Sequence, residues 1–480
     1  MQNSIDLENS NKVSKIFGPQ STFFAWSHSG LGDINGDGVD DFIVSSTGAN
    51  SEGRYYVFYG KKEGLPKIIQ AEEYLKDRLN GFTIEGIDSK DALTLFSPPQ
   101  WFAAFLKYVR VDSTNIVNRL GDIDGDGIND IFIGAPGANN QAGEAYIIYG
   151  RNSSTFPKIF KLENLNGRNG FTIHGINDKY ANAKKVDISV TAENTPTNLT
   201  NYAYGDALGF SGGWIGDING DGIDDIGLGA PTAKPQAHAL CKDFPKNIYN
   251  YIPLGEAYVL YGKKDKEFKK DISLKDLEEK DGFTIHGIDY THATHGWPVT
   301  GVGDLNHDGI MDLGIGAHTA CVDGKYWAGQ AYVIYGKNGT FSKDFYIENL
   351  NGTNGFILDG INKGDWSGEI FGFSGDVNGD GIDDMVNTAR HADGNDGVLE
   401  KNAGQCYVIF GRDGNLFPAK WNLKDLNGTN GFTIYGQSLY DHLGFTSVSG
   451  IGDVNNDTIN DIYMQHLAKK LHHTLQEKLM

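Results

Sequence analysis

Cysteine is nearly absent: the 480 residues hold three, Cys241, Cys321 and Cys406. So sparse and odd a count offers no disulfide framework and no Cys-x-x-Cys metal site, and the three read as small buried hydrophobes. No run of 18 apolar residues occurs, so no helix is expected to span a membrane and no membrane insertion is expected. The opening residues, MQNSIDLENSNKVSKIFG, lack the apolar core of a secretory leader. Basic charge is short too: 41 Lys and Arg face 62 Asp and Glu, a net charge of −21. That deficit argues against nucleic acid and anionic membranes as partners, because phosphate recognition needs a basic footprint. Proline is scarce at 13 residues, which excludes a Pro-rich disordered chain.

Glycine is plentiful, at 64 residues, alongside 39% hydrophobic and 12% aromatic residues. This is the composition of a folded chain with many tight turns. A single core usually stops growing below this length, so several domains or a repeat architecture is expected. Repeats are plain. An acidic block recurs six times, as DINGDGVDD at 33–41, DIDGDGIND at 122–130, DINGDGIDD at 217–225, DLNHDGIMD at 304–312, DVNGDGIDD at 376–384 and DVNNDTIND at 453–461. A run such as AYIIYG (145–150) follows each of the first five, then an element such as NGFTIHG (169–175).

These short runs, rich in Ile, Val, Tyr and Phe and bounded by Gly, Asn and Asp, read as strands. In AYIIYG both alternate sets are apolar, with Tyr146 and Ile148 on one face and Ile147 and Tyr149 on the other. A strand apolar on both faces needs cover on both, which neighbouring sheets stacked around an axis supply. The expected fold is an all-β propeller of four-stranded blades over residues 1–464, with six repeats visible and the last incomplete. Asp6–Asn9 and Lys15–Gly18 resemble KLEN at 161–164 and TIHG at 172–175, so residues 5–18 are expected as an orphan outer strand completing the last blade. HLAKKLHHTLQEKLM is expected as a short helical tail over 465–480. Segments 88–118, 177–206 and 233–254 read as loop insertions.

Each acidic block places carboxylate or amide oxygens at loop positions 1, 3, 5 and 9. In order these are Asp33, Asn35, Asp37 and Asp41; Asp122, Asp124, Asp126 and Asp130; Asp217, Asn219, Asp221 and Asp225; Asp304, Asn306, Asp308 and Asp312; Asp376, Asn378, Asp380 and Asp384; and Asp453, Asn455, Asp457 and Asp461. Short side chains at alternate positions of a turning backbone converge on one point. Ca²⁺, which takes six to eight oxygens in irregular geometry, suits such a set better than Mg²⁺. An EF-hand would need Glu at position 12 and flanking helices; position 12 is Val44, Ile133, Leu228, Ile315, Asn387 or Met464. Up to six Ca²⁺ ions are expected. The loop at 453–461 should bind weakest, because Asn456 and Thr458 stand where other copies have glycine.

Elements such as LGFSGG (208–213) and FGFSG (371–375) precede the acidic loops, and GAP follows at 134–136 and 229–231. This combination resembles the FG-GAP repeat of integrin α subunits and of bacterial integrin-like propellers. The resemblance covers about residues 5–464. It implies a propeller, usually seven-bladed, with calcium in the loops of one face and partners on the opposite face. It adds the position-7 backbone carbonyls of Val39, Ile128, Ile223, Ile310, Ile382 and Ile459 as ligands. Departures are SST at 45–47, GAH at 316–318 and NTA at 387–389.

No catalytic set emerges. Gly209–Gly213 matches the G-x-S-x-G nucleophile elbow but sits in a repeat position without strand–elbow–helix context. His292, His295, His307 and His318 read as unrelated loop histidines. The expectation is a non-enzymatic adhesion or protein-interaction module, extracellular or on a cell surface, with a protein or glycan ligand opposite the calcium loops. The alternative is a carbohydrate-binding, lectin-like propeller or a carbohydrate-active lyase.

Overall fold

A computed structural model describes residues 14–19, 23–47, 54–86, 116–152, 156–177, 205–233, 255–287, 296–393, 402–414, 417–438, 441–444 and 448–464. Residues 5–13, His292, His295, Cys241, the tail 465–480 and most of the three insertions lie outside the described residues.

Each repeat builds an antiparallel sheet in chain order. Blade one is Phe23–Gly32, Asp41–Thr47, Arg54–Phe58 and Gly81–Glu85. Blade two is Ile116–Gly121, Asp130–Ala135, Glu144–Ile148 and Gly170–His174. Blade three is Ser211–Gly216, Asp225–Ala230, Glu256–Leu260 and Gly282–His286. Blade four is Val299–Gly303, Asp312–Ala317, Gln330–Ile334 and Gly355–Asp359. Blade five is Phe371–Gly375, Asp384–Ala389, Gln405–Ile409 and Gly431–Tyr435. First strands of consecutive blades touch in series, from Phe23–Gly32 to Val448–Gly450. This is a nearly all-β propeller architecture, as the repeat pattern implies.

The stacking explains the doubly apolar third strands. Tyr146 and Ile148 pack with Tyr55 and Val57 of blade one, while Ile147 and Tyr149 pack with Tyr258 and Leu260 of blade three. All four are at most 1% exposed, and full burial of each such side chain contributes about 1.5–3 kcal/mol. The FG and GAP glycines meet between blades: a Cβ at Gly134 would lie 2.0 Å from the Gly209 carbonyl oxygen, and one at Gly316 2.2 Å from that of Gly368. Only a residue without a side chain permits such an approach.

Two features correct the sequence expectation. Blades one to four have five strands, because an outer strand from the following repeat pairs parallel to the fourth: Ile159–Lys161, Asp271–Ser273, Asp344–Tyr346 and Lys420–Asn422. Each repeat is thereby stitched to the one before it. Second, Lys15–Phe17 pairs parallel with Ile68–Gln70. That is the pairing of a fourth strand with the next repeat's outer strand, so Lys15–Phe17 takes the fourth-strand position of the TIHG segment it resembles, and a further strand, Ile68–Gln70, lies outside it. Blade six contributes Val448–Gly450 and Ile462–Met464, and no described sheet joins them to blade one.

Candidate metal centres in the acidic loops

Each acidic loop links the first strand of a blade to its second. The position-1 aspartate folds the turn around itself. In the first loop Asp33 Oδ1 accepts from the amides of Asn35, Gly36 and Asp37, and Oδ2 from Gly38 at 2.7 Å. Asp217 and Asp376 repeat this with the amides of Gly220 and Gly222, and of Gly379 and Gly381. Asp122, Asp304 and Asp453 accept from the position-6 amides of Gly127, Gly309 and Thr458. The position-5 aspartate accepts from the position-7 amide in every copy, from Val39 to Ile459.

Position 9 anchors the loop to the blade. Asp130 is fully buried: its Oδ2 accepts from Ile123 N–H at 3.0 Å, and its Oδ1 from Gly150 N–H, at the end of the third strand, at 2.7 Å. Asp41, Asp225, Asp312 and Asp384 make the same two bonds, to Gly60, Gly262, Gly336 and Gly411 on the third-strand side. Burial raises their pKa and so weakens them as acids: Asp41 and Asp384 shift up to about 7, and Asp130, Asp225 and Asp312 well above the usual range. A desolvated carboxylate beside other carboxylates favours a neutralising cation or proton.

The second loop carries this furthest. Oxygens of Asp122, Asp124 and Asp130 all lie within 4.8 Å of one another. Among the described residues, no other trio of His, Cys, Asp or Glu is so gathered. Burial lifts Asp124 to about 6. Lys266, from the following repeat, brings its Nζ to 3.0 Å from Asp124 Oδ2 and 2.9 Å from Asp126 Oδ2. This internal cation has no local signature in the sequence. In the first loop Asn35 is 1% exposed, its Nδ2 donates to Asp41, and its Oδ1 is buried without a donor. An orphaned carbonyl oxygen beside two carboxylates has the chemistry of a hard-cation ligand.

Loop six differs. Its residues are largely exposed, and Asn456 and Thr458 take φ of 64° and 73°. Glycine occupies that left-handed region freely, and threonine only under strain. Asp461 still accepts from Val454 N–H, but its Oδ1 meets Asn455 Nδ2 at 3.3 Å and no third-strand glycine.

Position 8 was missed by the sequence reading. The amides of Asn129, Asp224, Met311 and Asn460 donate to the position-1 carbonyls of Asp33, Asp122, Asp217 and Asp376 in the preceding loops. Asp224 and Asp383 also accept from the amides of Asp122 and Asp304, both at 2.9 Å. The Asp-Asp pair ending three of the six blocks is the one local signal for these links.

The discounted motifs keep structural roles. Ser211 of the G-x-S-x-G match is 7% exposed and donates to the Gly296 carbonyl at 2.6 Å. His307 sits in the fourth loop, 3.6 Å from Asp413. His318, 2% exposed, lies at the far end of the same blade between the rings of Trp297 and Trp366, and burial lowers its pKa to about 3. Cys406 is free and buried, as expected, whereas Cys321 is disulfide-bonded, which corrects its reading as a plain buried hydrophobe.

A family model described as FG-GAP repeat matches residues 25–58 and 119–148. Integrin alpha pat-2 of Caenorhabditis elegans is 28% identical over 279 residues, covering 57% of this chain and 18% of that protein. Integrin alpha-PS2 of Drosophila melanogaster is 29% identical over 141 residues, covering 29% and 8%. Phosphatidylinositol-glycan-specific phospholipase D of Dictyostelium discoideum is 26% identical over 369 residues, covering 73% and 32%. The chain thus spans a third or less of the length of these relatives.

Proposed function

We propose that this chain, which carries FG-GAP repeats and resembles the integrin α propeller, is a calcium-stabilised, non-catalytic binding module. Ca²⁺ would be held in loops one to five by side chains at positions 1, 3, 5 and 9 and by the position-7 carbonyl. The sixth loop would bind weakest, lacking both glycines and the third-strand anchor. The bound ion supplies charge neutralisation that the blades' own buried aspartates require. The observation that carries this reading is the recurrence of one wiring five times over: a buried position-9 carboxylate tied to its blade beside further carboxylates.

A binding role, with a protein or glycan ligand on the face opposite the loops, is favoured over catalysis because the one nucleophile motif spends its hydroxyl on a backbone carbonyl. The relative named as a phospholipase D matches over only 32% of its length, so its activity is not carried across. An extracellular or cell-surface location accords with the disulfide at Cys321, since such bonds persist in oxidising compartments.

The test is thermal unfolding of the full chain with EDTA and with Ca²⁺. Binding to the folded state alone stabilises by about 2.7 kcal/mol per site at a hundredfold excess over Kd. The melting temperature should therefore rise by several degrees with Ca²⁺ and much less with equimolar Mg²⁺. An unchanged melting curve would overturn the calcium assignment.

A further inference from the structure

Blades two and three carry the same polar ladder at the end away from the acidic loops. In blade two Tyr146 Oη donates to Glu144 Oε2 at 2.6 Å, His174 Nδ1 meets Glu144 Oε1 at 2.8 Å, and His174 Nε2 meets Asp271 Oδ1 at 3.3 Å. Blade three repeats it through Tyr258, Glu256, His286 and Asp344 at 2.7, 2.9 and 2.8 Å. Leu162 and Leu165 line the same site as Glu144 and His174, and Leu274 and Leu277 are their counterparts in the next repeat, all at most 3% exposed.

One register position separates the two. His286 stands opposite Tyr346 on the outer strand, and the two rings lie 4.8 Å apart. His174 stands opposite Ser273. The histidine side chain is 12% exposed under the tyrosine and 31% exposed beside the serine. Beside the more exposed His174 lies a cleft of about 480 Å³, whose wall adds Asn139, Glu163 and Lys270 to the ladder. Asn139 of its wall and the two residues that follow, Asn140 and Gln141, take φ of 48°, 55° and 70° in succession. Non-glycine residues held in that region concentrate at ligand sites.

The geometry points to a binding site for a neutral, hydroxyl-rich molecule of mono- or disaccharide size. Donors and acceptors alternate around the wall: Lys270 and the Asn139 amide donate, while Glu163, Asp271 and the Asn139 carbonyl accept. Hydroxyls, which do both, match such a mixture. An anion would face three carboxylates, and a cation would find each of them already engaged, Glu144 and Asp271 by His174 and Glu163 by Lys161. The buried leucines give an apolar backing for the C–H face of a sugar ring, and the volume lies within the range of small-ligand sites. The inference deepens the reading of the face opposite the loops as the binding face. None of its residues belongs to an acidic loop, so it stands or falls separately from calcium.

The experiment is ligand-observed NMR on the calcium-saturated full chain with glucose, galactose, mannose and N-acetylglucosamine, and with arginine amide and sulfate as charged probes. At least one neutral sugar should bind with a millimolar Kd. Ser273→Tyr, which places in blade two the ring that covers blade three, should weaken that binding at least tenfold with the melting temperature unchanged, and Ser273→Ala should stay within twofold. The proposal is overturned if no sugar binds, if the charged probes bind more tightly than the sugars, or if Ser273→Tyr binds like the parent chain.

Discussion

At the second loop Lys266 occupies oxygens that a bound metal ion would need. Lys266 Nζ sits about 3 Å from Asp124 and Asp126, and a Ca²⁺ held by those carboxylates would have to displace it or share them. Screening by solvent keeps such an interaction modest, because the lysine side chain is still 28% exposed. Replacing Lys266 by Met removes the charge, and with it the ammonium over the Tyr149 ring, while keeping an unbranched apolar stem in its place. The expected result is a gain of about 1.4 kcal/mol, close to tenfold, in the affinity of the second loop for Ca²⁺. Metal-free stability should fall at the same time, since Asp124 and Asp126 lose the ammonium that bridges them. Calcium titration by calorimetry and melting in EDTA read the two effects; equal affinity in both proteins would show that the lysine does not contest the site.

Among the elements, the loop hairpins and the outer strands stand at opposite ends of what a sequence reveals. The hairpins were legible because their chemistry is local: Asp at positions 1, 5 and 9, with glycines where φ is positive, falls within nine residues and recurs. The third strands were legible for the same reason, since their apolar alternation marks both faces. The outer strands were not. They are three residues long, too short to carry a period, and they pair with a partner from the preceding repeat, 76 residues away for Ile159 and Thr83. The His174 ladder escaped likewise, because Glu144, His174 and Asp271 come from three strands spread along the chain. Loop six gives an element-scale test. Thr458 holds φ 73° with a β-branched side chain, a conformation costing roughly 1–2 kcal/mol for residues other than glycine. Thr458→Gly should recover about 1 kcal/mol in the calcium-bound state and bring the affinity of this loop toward that of loop three. If calcium binding there is unchanged, exposure and the missing third-strand anchor, and not turn strain, set its weakness.

For the whole molecule, the five anchored loops form one electrostatic unit, since each position-8 amide or carboxylate that reaches the preceding loop binds its neighbour's backbone. Their position-9 aspartates are all pushed upward by burial, Asp41 and Asp384 to about 7. A carboxyl whose folded pKa exceeds its unfolded value stabilises the fold when protonated. That contribution is fully present below about pH 4 and is lost as pH rises toward about 7. The metal-free chain should therefore lose melting temperature across that window, in the opposite sense to a protein held by ionised salt bridges. Calcium bound as proposed would take the place of those protons, so its uptake at pH 6 should release them, and uptake at pH 8.5 should release far fewer. Calorimetric titration at pH 6 in two buffers of different ionisation enthalpy measures the number directly. Identical heats in both buffers would mean that the buried aspartates are already ionised before the metal arrives. The charge they carry would then have to be balanced from within the fold, where Lys266 pairs with Asp124 and Asp126 in the loop that Asp130 anchors.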